Sequence, residues 1–516
     1  MQSHLSGVSP PYRPPCDTLY FHDWRYIRHG SPNACWKTEA GEGLPLFSPL
    51  PPPTMRYEYA YDSKPGLRLK ALPPKKSDPV IAPHNSPFPF FLMAGNLMRE
   101  DGRYRLWLEY WPIENFGEKE AGTRNLLCYA ESDNGFDWRF PEQDRLTCDS
   151  ACAKRAVYGA PSSGVGYHGS GVFKDPSAPP EERYKLIHLG KASGERLERY
   201  LRERPDDVPP MALRGDEAHA VFGATSPDGF DWTPIHDPLL LQMIDTHNIC
   251  EYDAVRKTYV AYIRDWLMGR RTIGRIESPD FRSFPPPEPI FWPGPSVRHH
   301  DLWYANGKNV MPDHDENGAY HMMFPMRWDV ATDEYDFFLA TSPDNVTWDF
   351  VPGGPICRPG EPGAWDAGGV WPGREMVYLS EDRMGILYAG VPVPHKHPRH
   401  PPYGGLAWAL WERDRLVALE APAEARFSTY PLIVKGRALR INYRAPATGF
   451  VRVQVHGGDG EIMQERSFDD CDFLCGNELD RLVTWKGASS LSFKDDEPIF
   501  LRVEMRHAEL FSMRFV

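Results

Sequence analysis

Apolar and polar positions alternate along most of this chain, in runs too short for helices. Tyr104-Arg105-Leu106-Trp107-Leu108-Glu109-Tyr110-Trp111 and Tyr259-Val260-Ala261-Tyr262-Ile263-Arg264 are clear examples, and each returns from a turn after an earlier strand-like run. Five such strand–turn–strand pairs follow one another. They cover 90–99 returning at 104–111, 168–174 at 183–187, 246–252 at 259–264, 307–311 at 320–324 and 369–379 at 385–389. A third apolar run follows each pair, at 126–131, 221–225, 272–277, 337–341 and 406–411.

Four of the third runs end in one short phrase. It reads Glu131-Ser132-Asp133-Asn134-Gly135-Phe136-Asp137-Trp138, then Thr225-Ser226-Pro227-Asp228-Gly229-Phe230-Asp231-Trp232, then Thr341-Ser342-Pro343-Asp344-Asn345-Val346-Thr347-Trp348, and more faintly Glu277-Ser278-Pro279-Asp280-Phe281. Its chemistry is that of a tight turn. Ser and Asp oxygens accept backbone N–H bonds, Gly or Asn supplies positive φ, and Trp is expected to open the next strand and pack inward. Repetition of one strand–turn unit within a domain points to a radial β architecture. Three strands and a short outer fourth make a blade, so the pattern predicts an all-β fold, a five-bladed β-propeller over 81–419.

The ends read differently. Residues 1–80 are Pro-rich and irregular, a segment expected to wrap the propeller and lend it a closing strand. From 420 to 516 the alternation continues without the repeated phrase, which predicts a C-terminal β-sandwich.

Composition narrows the partners. With 53 prolines and 43 glycines among 516 residues, a helical fold is excluded. A net charge of −13 sets the chain against nucleic acid, whose phosphates such a surface repels. Thirteen per cent aromatic residues with many carboxylates suits sugars, whose rings stack on Trp and Tyr and whose hydroxyls bond carboxylates. Nine cysteines include no CxxC pair; Cys148/Cys152 and Cys471/Cys475 are the close ones, read as thiols rather than zinc ligands. No basic-then-apolar leader opens the sequence and no run of about 18 apolar residues interrupts it, so a cytoplasmic location without membrane contact is expected.

In a propeller the inner strand of every blade lines a central funnel, so polar residues just before those strands converge. The positions are Asn85 in blade one, His168 in blade two, Asp245 and His247 in blade three, His299, His300, Asp301 and Trp303 in blade four, and Trp365 and Asp366 in blade five. Three carboxylates among imidazoles and tryptophans suit glycoside cleavage: one acid protonates the leaving oxygen, a second carboxylate attacks or activates water, and a third tunes the acid by like-charge repulsion. Asp245, Asp301 and Asp366 are the candidate catalytic residues. Asn85, His168, His247, Arg264, His299, His300, Trp303 and Trp365 are the candidate substrate contacts. Each Asp could instead cap a turn. His299-His300-Asp301 also reads as a partial metal set without a third ligand at legible spacing, so no cofactor is assigned. Arg264-Asp265-Trp266 is either a structural ion pair or part of the pocket wall. Glu109, between Trp107 and Trp111, is either a solvated strand residue or a carboxyl with a raised pKa. The tract His395-Lys396-His397-Pro398-Arg399-His400 reads as a funnel-rim loop.

Asp245-Thr246-His247-Asn248, Asp175-Pro176 with Arg183-Tyr184-Lys185, and Gly404-Gly405-Leu406-Ala407 resemble uncharacterised invertase-like proteins. More broadly the chain resembles the five-bladed propeller glycosidases, the superfamily of invertases, fructanases and arabinanases. That resemblance implies a propeller with an appended sandwich and an exo-acting hydrolase for a furanoside or unusual terminal sugar. Its catalytic motifs do not carry over. The Asn-Asp-Pro slot holds His84-Asn85-Ser86-Pro87, Lys174-Asp175-Pro176 falls in a turn, and Cys250-Glu251-Tyr252 inverts the acid phrase. The repeated phrase also echoes the sialidase Asp-box, one residue shorter. A non-catalytic sugar-binding propeller and a metal-assisted sugar lyase or epimerase are the alternatives.

Overall fold

A computed structural model of the chain describes residues 11–28, three short strands between 35 and 58, and 66–516 apart from 91, 113–124, 149, 151, 210–211, 246, 296, 313–319, 399–402, 459 and 495. Most of the Pro-rich segment, the predicted turn after 311 and part of the rim tract therefore lie outside the described residues.

Five antiparallel blades follow one another from residue 92 to 412, each running from an inner to an outer strand, with the fourth and fifth joined into one ten-stranded sheet by a parallel bridge between Tyr335 and Gly369. Blade one is Leu92–Glu100, Arg103–Tyr110, Leu126–Ser132 and Ala156–Gly159. Blade two is His168–Lys174, Tyr184–Ser193 and Glu217–Ser226, edged by Thr233–Pro234. Blade three is Ile249–Asp253, Thr258–Leu267, Arg270–Ser278 and Glu288–Pro289. In blade four, Asp301–Val310 pairs with His321–Asp329, which pairs with Glu334–Phe337 and Ala340–Ser342, and Asp349–Phe350 lies outermost. In blade five, Gly369–Pro372 and Val377–Tyr378 pair with Arg383–Val391, followed by Gly405–Glu412. Each inner strand packs on the next, and that of blade five returns to Leu92–Glu100, closing a ring of five. The outer strand of the last blade is Lys75–Lys76, opposite Ala409 and Leu410. A strand from before blade one thus zips the ring shut.

The repeated phrase has a job that its sequence shows only in part. Ser226 Oγ accepts the N–H of Asp228 and Gly229, and Asp228 Oδ1 accepts those of Phe230 and Asp231. Gly135, Gly229 and Asn345 take the left-handed conformation the turn requires. The turn then docks on the preceding blade. Trp107 donates its indole N–H to the Gly229 carbonyl at 2.8 Å, Trp408 to that of Gly135 at 2.7 Å, and Tyr262 its hydroxyl to that of Asn345 at 2.8 Å. The inward-packed tryptophans are therefore these, on neighbouring blades. The phrase's own Trp138 and Trp232 are half-buried and bond their own turns. Recurrence of the phrase reflects recurrence of the blade interface.

The central channel is plugged. After Pro372 the chain leaves blade five and crosses the axis. Arg374 forms a bridge with Asn96 of blade one and donates to the carbonyls of Val172 in blade two and Cys250 in blade three. Gly307 of blade four lies so close that a Cβ there would meet the Gly373 carbonyl at 2.5 Å. Gly307→Ala should therefore cost about 1–3 kcal/mol by overpacking, read as a lower urea midpoint at unchanged slope. The funnel above the plug is blind.

The C-terminal domain is one seven-stranded sheet built on Ile499–Phe515, the longest strand of the chain. Its first half lies between Val417–Ser428 and Phe450–Gly457, its second half beside Leu439–Ala445 and Thr18–Tyr20. At the junction His507 is left-handed, and the register breaks opposite it between Ala421 and Glu424. Such a bulge bends a sheet and lets one strand serve both layers of a sandwich. Arg68–Ala71 adds an edge against Val417–Glu420. The N-terminal segment is thus shared between both domains.

Candidate functional site

Every inner strand begins on the same face of the ring, and there the second and third strands end and begin. Glu109, at the end of the second strand of blade one, points into this face and is 3% exposed. Its Oε1 accepts His168 Nδ1 at 2.8 Å, Trp111 Nε1 at 2.7 Å and Asn125 Nδ2 at 3.0 Å; Oε2 accepts the Gly169 N–H at 2.7 Å. Burial pushes this carboxyl upward, but the His168 imidazolium and the donated hydrogen bonds outweigh it and hold Glu109 below the usual range. The expected alternative of a raised pKa is overturned: Glu109 is an anchored anion.

His168, first residue of the blade-two inner strand, lies between Glu109 and Asp245, whose Oδ1 meets Nε2 at 2.9 Å. Both ring nitrogens face carboxylates, so both donate and the ring is an imidazolium. Burial would lower its pKa, yet Glu109 and Asp245 carry it up to about 10. Asp245 comes from the loop entering blade three. Its Oδ2 accepts a bond from Arg264 Nη2, and Arg271 Nη1 stands 4.0 Å away. Burial raises its pKa, and Arg264, His168 and Arg271 together hold it well below the ordinary value. Its side chain is nevertheless 29% exposed, against 11% for His168 and 4% for Arg264. Glu109–His168–Asp245–Arg264 is one charge-alternating chain whose accessible member is a carboxylate.

An aromatic wall adjoins it. The Arg271 guanidinium sits 3.3 Å over the Tyr304 ring, and burial lowers its pKa to about 10. The Tyr304 hydroxyl meets His395 Nε2 at 3.2 Å, and the His395 ring packs edge-on against Tyr304 and Trp328. On the other side the Trp111 ring stands edge-on to His168 with centroids 4.9 Å apart. His247 is buried, pushed down to about 4 by burial, and its Nε2 has no hydrogen-bond partner among the described residues.

The structure thus joins Asp245, His168 and Arg264. The remaining predicted site residues lie in other settings. Asp301 accepts both Arg298 Nη2 at 2.8 Å and Nε at 3.1 Å, and Arg298 also reaches Asp329 at 2.8 Å. His300, Asp301 and Asp329 offer ligand atoms within 4.8 Å of one another, so Asp329 stands as the third ligand that spacing in the sequence does not show; Arg298 bonds both carboxylates. His299 is exposed, edge-on to His300. Trp303 is a core residue, packed with Phe291, Phe338 and Phe350 between blades three and four. It offers no face to a sugar. Trp365 packs on Tyr388. Asn85 is exposed and closes its own turn, accepting the Ala82 N–H at 2.7 Å.

Asp366 is 3% exposed and pairs at 2.6 Å with Lys76 on the closing strand, with Tyr388 donating to the same oxygen. Its bonds fasten the ring rather than join the Asp245 chain. Asp366→Asn is expected to destabilise the fold by about 1–3 kcal/mol while leaving any turnover within a small factor, measured by thermal unfolding beside an assay. Arg264 and Asp265 do not pair with each other, because consecutive strand residues face opposite sides. Arg264 joins Asp245, whereas Asp265 lies against Gly274, where burial lifts it to about 6.

Neither sequence reading of Glu109 gives it His168 as a partner, and Arg271 and Tyr304 carry no reading at all: Arg271 lies at the start of the third strand of blade three and Tyr304 within the inner strand of blade four. The ends of second strands and the starts of third strands open on the same face, and polar residues there carried the signal.

No family model matches the sequence, and no curated protein does. Among solved structures the chain is similar to a Bombyx mori GH32 beta-fructofuranosidase, at 10% identity over 85% of this chain and 94% of that one, TM-score 0.39. It is also similar to an N-acetylgalactosamine deacetylase from F. plautii, at 13% identity over 69% and 96%, TM-score 0.42. A thermostable family-43 glycoside hydrolase aligns at 15% identity over 64% and 92%, TM-score 0.38. The fold assignment rests on the strand order given above.

Proposed function

We propose that the protein is a carbohydrate-active enzyme, a glycoside hydrolase acting in the blind funnel with Asp245 as its working carboxylate. The observation that carries this is the state of Asp245: ionised by His168 and Arg264, yet the most exposed carboxylate in its chain of contacts. A carboxylate so held suits attack on an anomeric carbon, or stabilisation of the oxocarbenium-like charge that develops there. Glu109 fixes the imidazolium, which keeps Asp245 oriented without giving up a proton. The proton for the leaving oxygen is assigned to the Tyr304–His395 pair beyond Arg271, the described proton-bearing pair beside the cluster. A funnel stopped by Pro372–Arg374 receives a chain end rather than a chain passing through, which favours exo action. A furanoside or unusual terminal sugar is the substrate class that the sequence resemblance implies.

A second reading has one observation in its favour. Both nitrogens of His168 and both oxygens of Asp245 are engaged, an arrangement that would also serve a sugar-binding propeller without chemistry. A panel of aryl furanosides, aryl pyranosides and oligosaccharides decides between them. Release of a terminal sugar by the wild type, lost in Asp245→Asn, supports the hydrolase. Binding without cleavage of any member supports the lectin-like reading.

A further inference from the structure

On the ring face opposite the funnel, where blade five meets the C-terminal sheet, lies a cavity of about 500 Å³. That volume falls within the roughly 300–1,000 Å³ of small-molecule pockets. We propose that it is a second carbohydrate site, taking one or two rings of a neutral sugar. It shares no residue with the funnel and does not depend on the reading of Asp245.

The lining carries the argument. Blade five contributes Tyr378, Arg413 and Asp414, and the C-terminal domain contributes Arg440 and Asp480, with Tyr20 from the N-terminal strand. Arg413 lies on the Tyr378 ring at 4.1 Å, and the Tyr378 hydroxyl donates to Asp414 Oδ1 at 2.6 Å. Arg440 Nε donates to Asp480 Oδ2 at 2.7 Å, and Arg514 Nη2 reaches the same oxygen at 2.7 Å. Guanidinium donors and carboxylate acceptors therefore stand together around a space that Tyr20 and Tyr378 also line. Each cation already has a carboxylate beside it, so an anion entering the cavity would meet Asp414 and Asp480 as well as the arginines. A neutral hydroxyl both donates and accepts, and fits next to either kind of group. A small ring bearing several hydroxyls matches such a lining better than an apolar or a charged ligand does.

The test is saturation-transfer NMR on the full chain with sucrose, maltose and L-arabinose, with inorganic phosphate as the charged control. Binding of at least one sugar is expected, weakened about tenfold or more by Asp414→Asn and by Arg440→Gln, and unchanged in Asp245→Asn. Arg440→Gln alters a side chain on the open wall, so it carries the test if Asp414→Asn fails to fold. The proposal is overturned if no sugar binds, if binding is kept in the cavity variants whatever Asp245→Asn does, or if phosphate alone responds to them.

Discussion

Asp245→Asn lowers turnover of a cleavable glycoside by about 10²–10⁴-fold, the range for loss of a positioned acid–base or nucleophilic group, while the protein stays folded. The amide is nearly isosteric with the carboxylate and keeps one oxygen for Arg264 or His168, but it supplies no negative charge to a developing oxocarbenium. Binding of the intact substrate should survive, because the funnel walls are unchanged. The measurement is initial rate and dissociation constant side by side. Equal loss of binding and rate would assign Asp245 to ground-state recognition, and an unchanged rate would remove it from the chemistry. Asp366→Asn is the internal control, since its carboxylate bonds the closing strand instead.

Glu109→Gln should have the largest effect on stability, about 3–5 kcal/mol, the cost of breaking a buried ion pair from one side. Glu109 accepts from His168, Trp111, Asn125 and Gly169. A glutamine turns one of those acceptors into a donor facing donors, and leaves the imidazolium with Asp245 alone. The pH dependence follows from the same bonds. His168 titrates at about 10 when folded against 6.5 unperturbed. Its contribution is therefore complete below 6.5 and is lost as pH rises toward about 10. Glu109 and Asp245 are shifted the other way, below 4.5 and 3.8. Theirs is present above those values and is lost on acidification. Wild-type stability should thus peak between these limits, and Glu109→Gln should flatten the alkaline limb. Urea titrations across the range measure it; parallel curves for the two proteins would show that Glu109 does not hold the imidazolium.

The two variants separate roles that one hydrogen-bonded chain combines. Asp245 is open to the funnel and Glu109 is sealed beneath it, so the first should act on rate and the second on folding. A protein in which both substitutions act equally on both readouts would have a cluster serving architecture alone.

What the sequence determined is local and periodic. Two-residue alternation fixed the strands, and the Ser–Asp–Gly phrase fixed the turns, because both follow from bonds within a few residues. Five-fold repetition of the strand–turn–strand pairs sufficed for the ring. His168, Asp245 and Arg264 were also legible, since each stands at a strand end that a propeller turns toward its hub. Only tertiary structure decided which charges meet. Asp301, Asp366 and Asp245 look alike in sequence, yet Arg298 claims the first, Lys76 the second and His168 the third. Trp303 reads as a sugar platform until Phe291 and Phe350 enclose it. Glu109 read as a solvated strand residue until His168, remote in sequence, arrived beside it. The plug and the cavity below are likewise products of distant segments. Partner choice among like side chains depends on which neighbouring blade each one faces, and that is set by the whole ring rather than by any stretch of it.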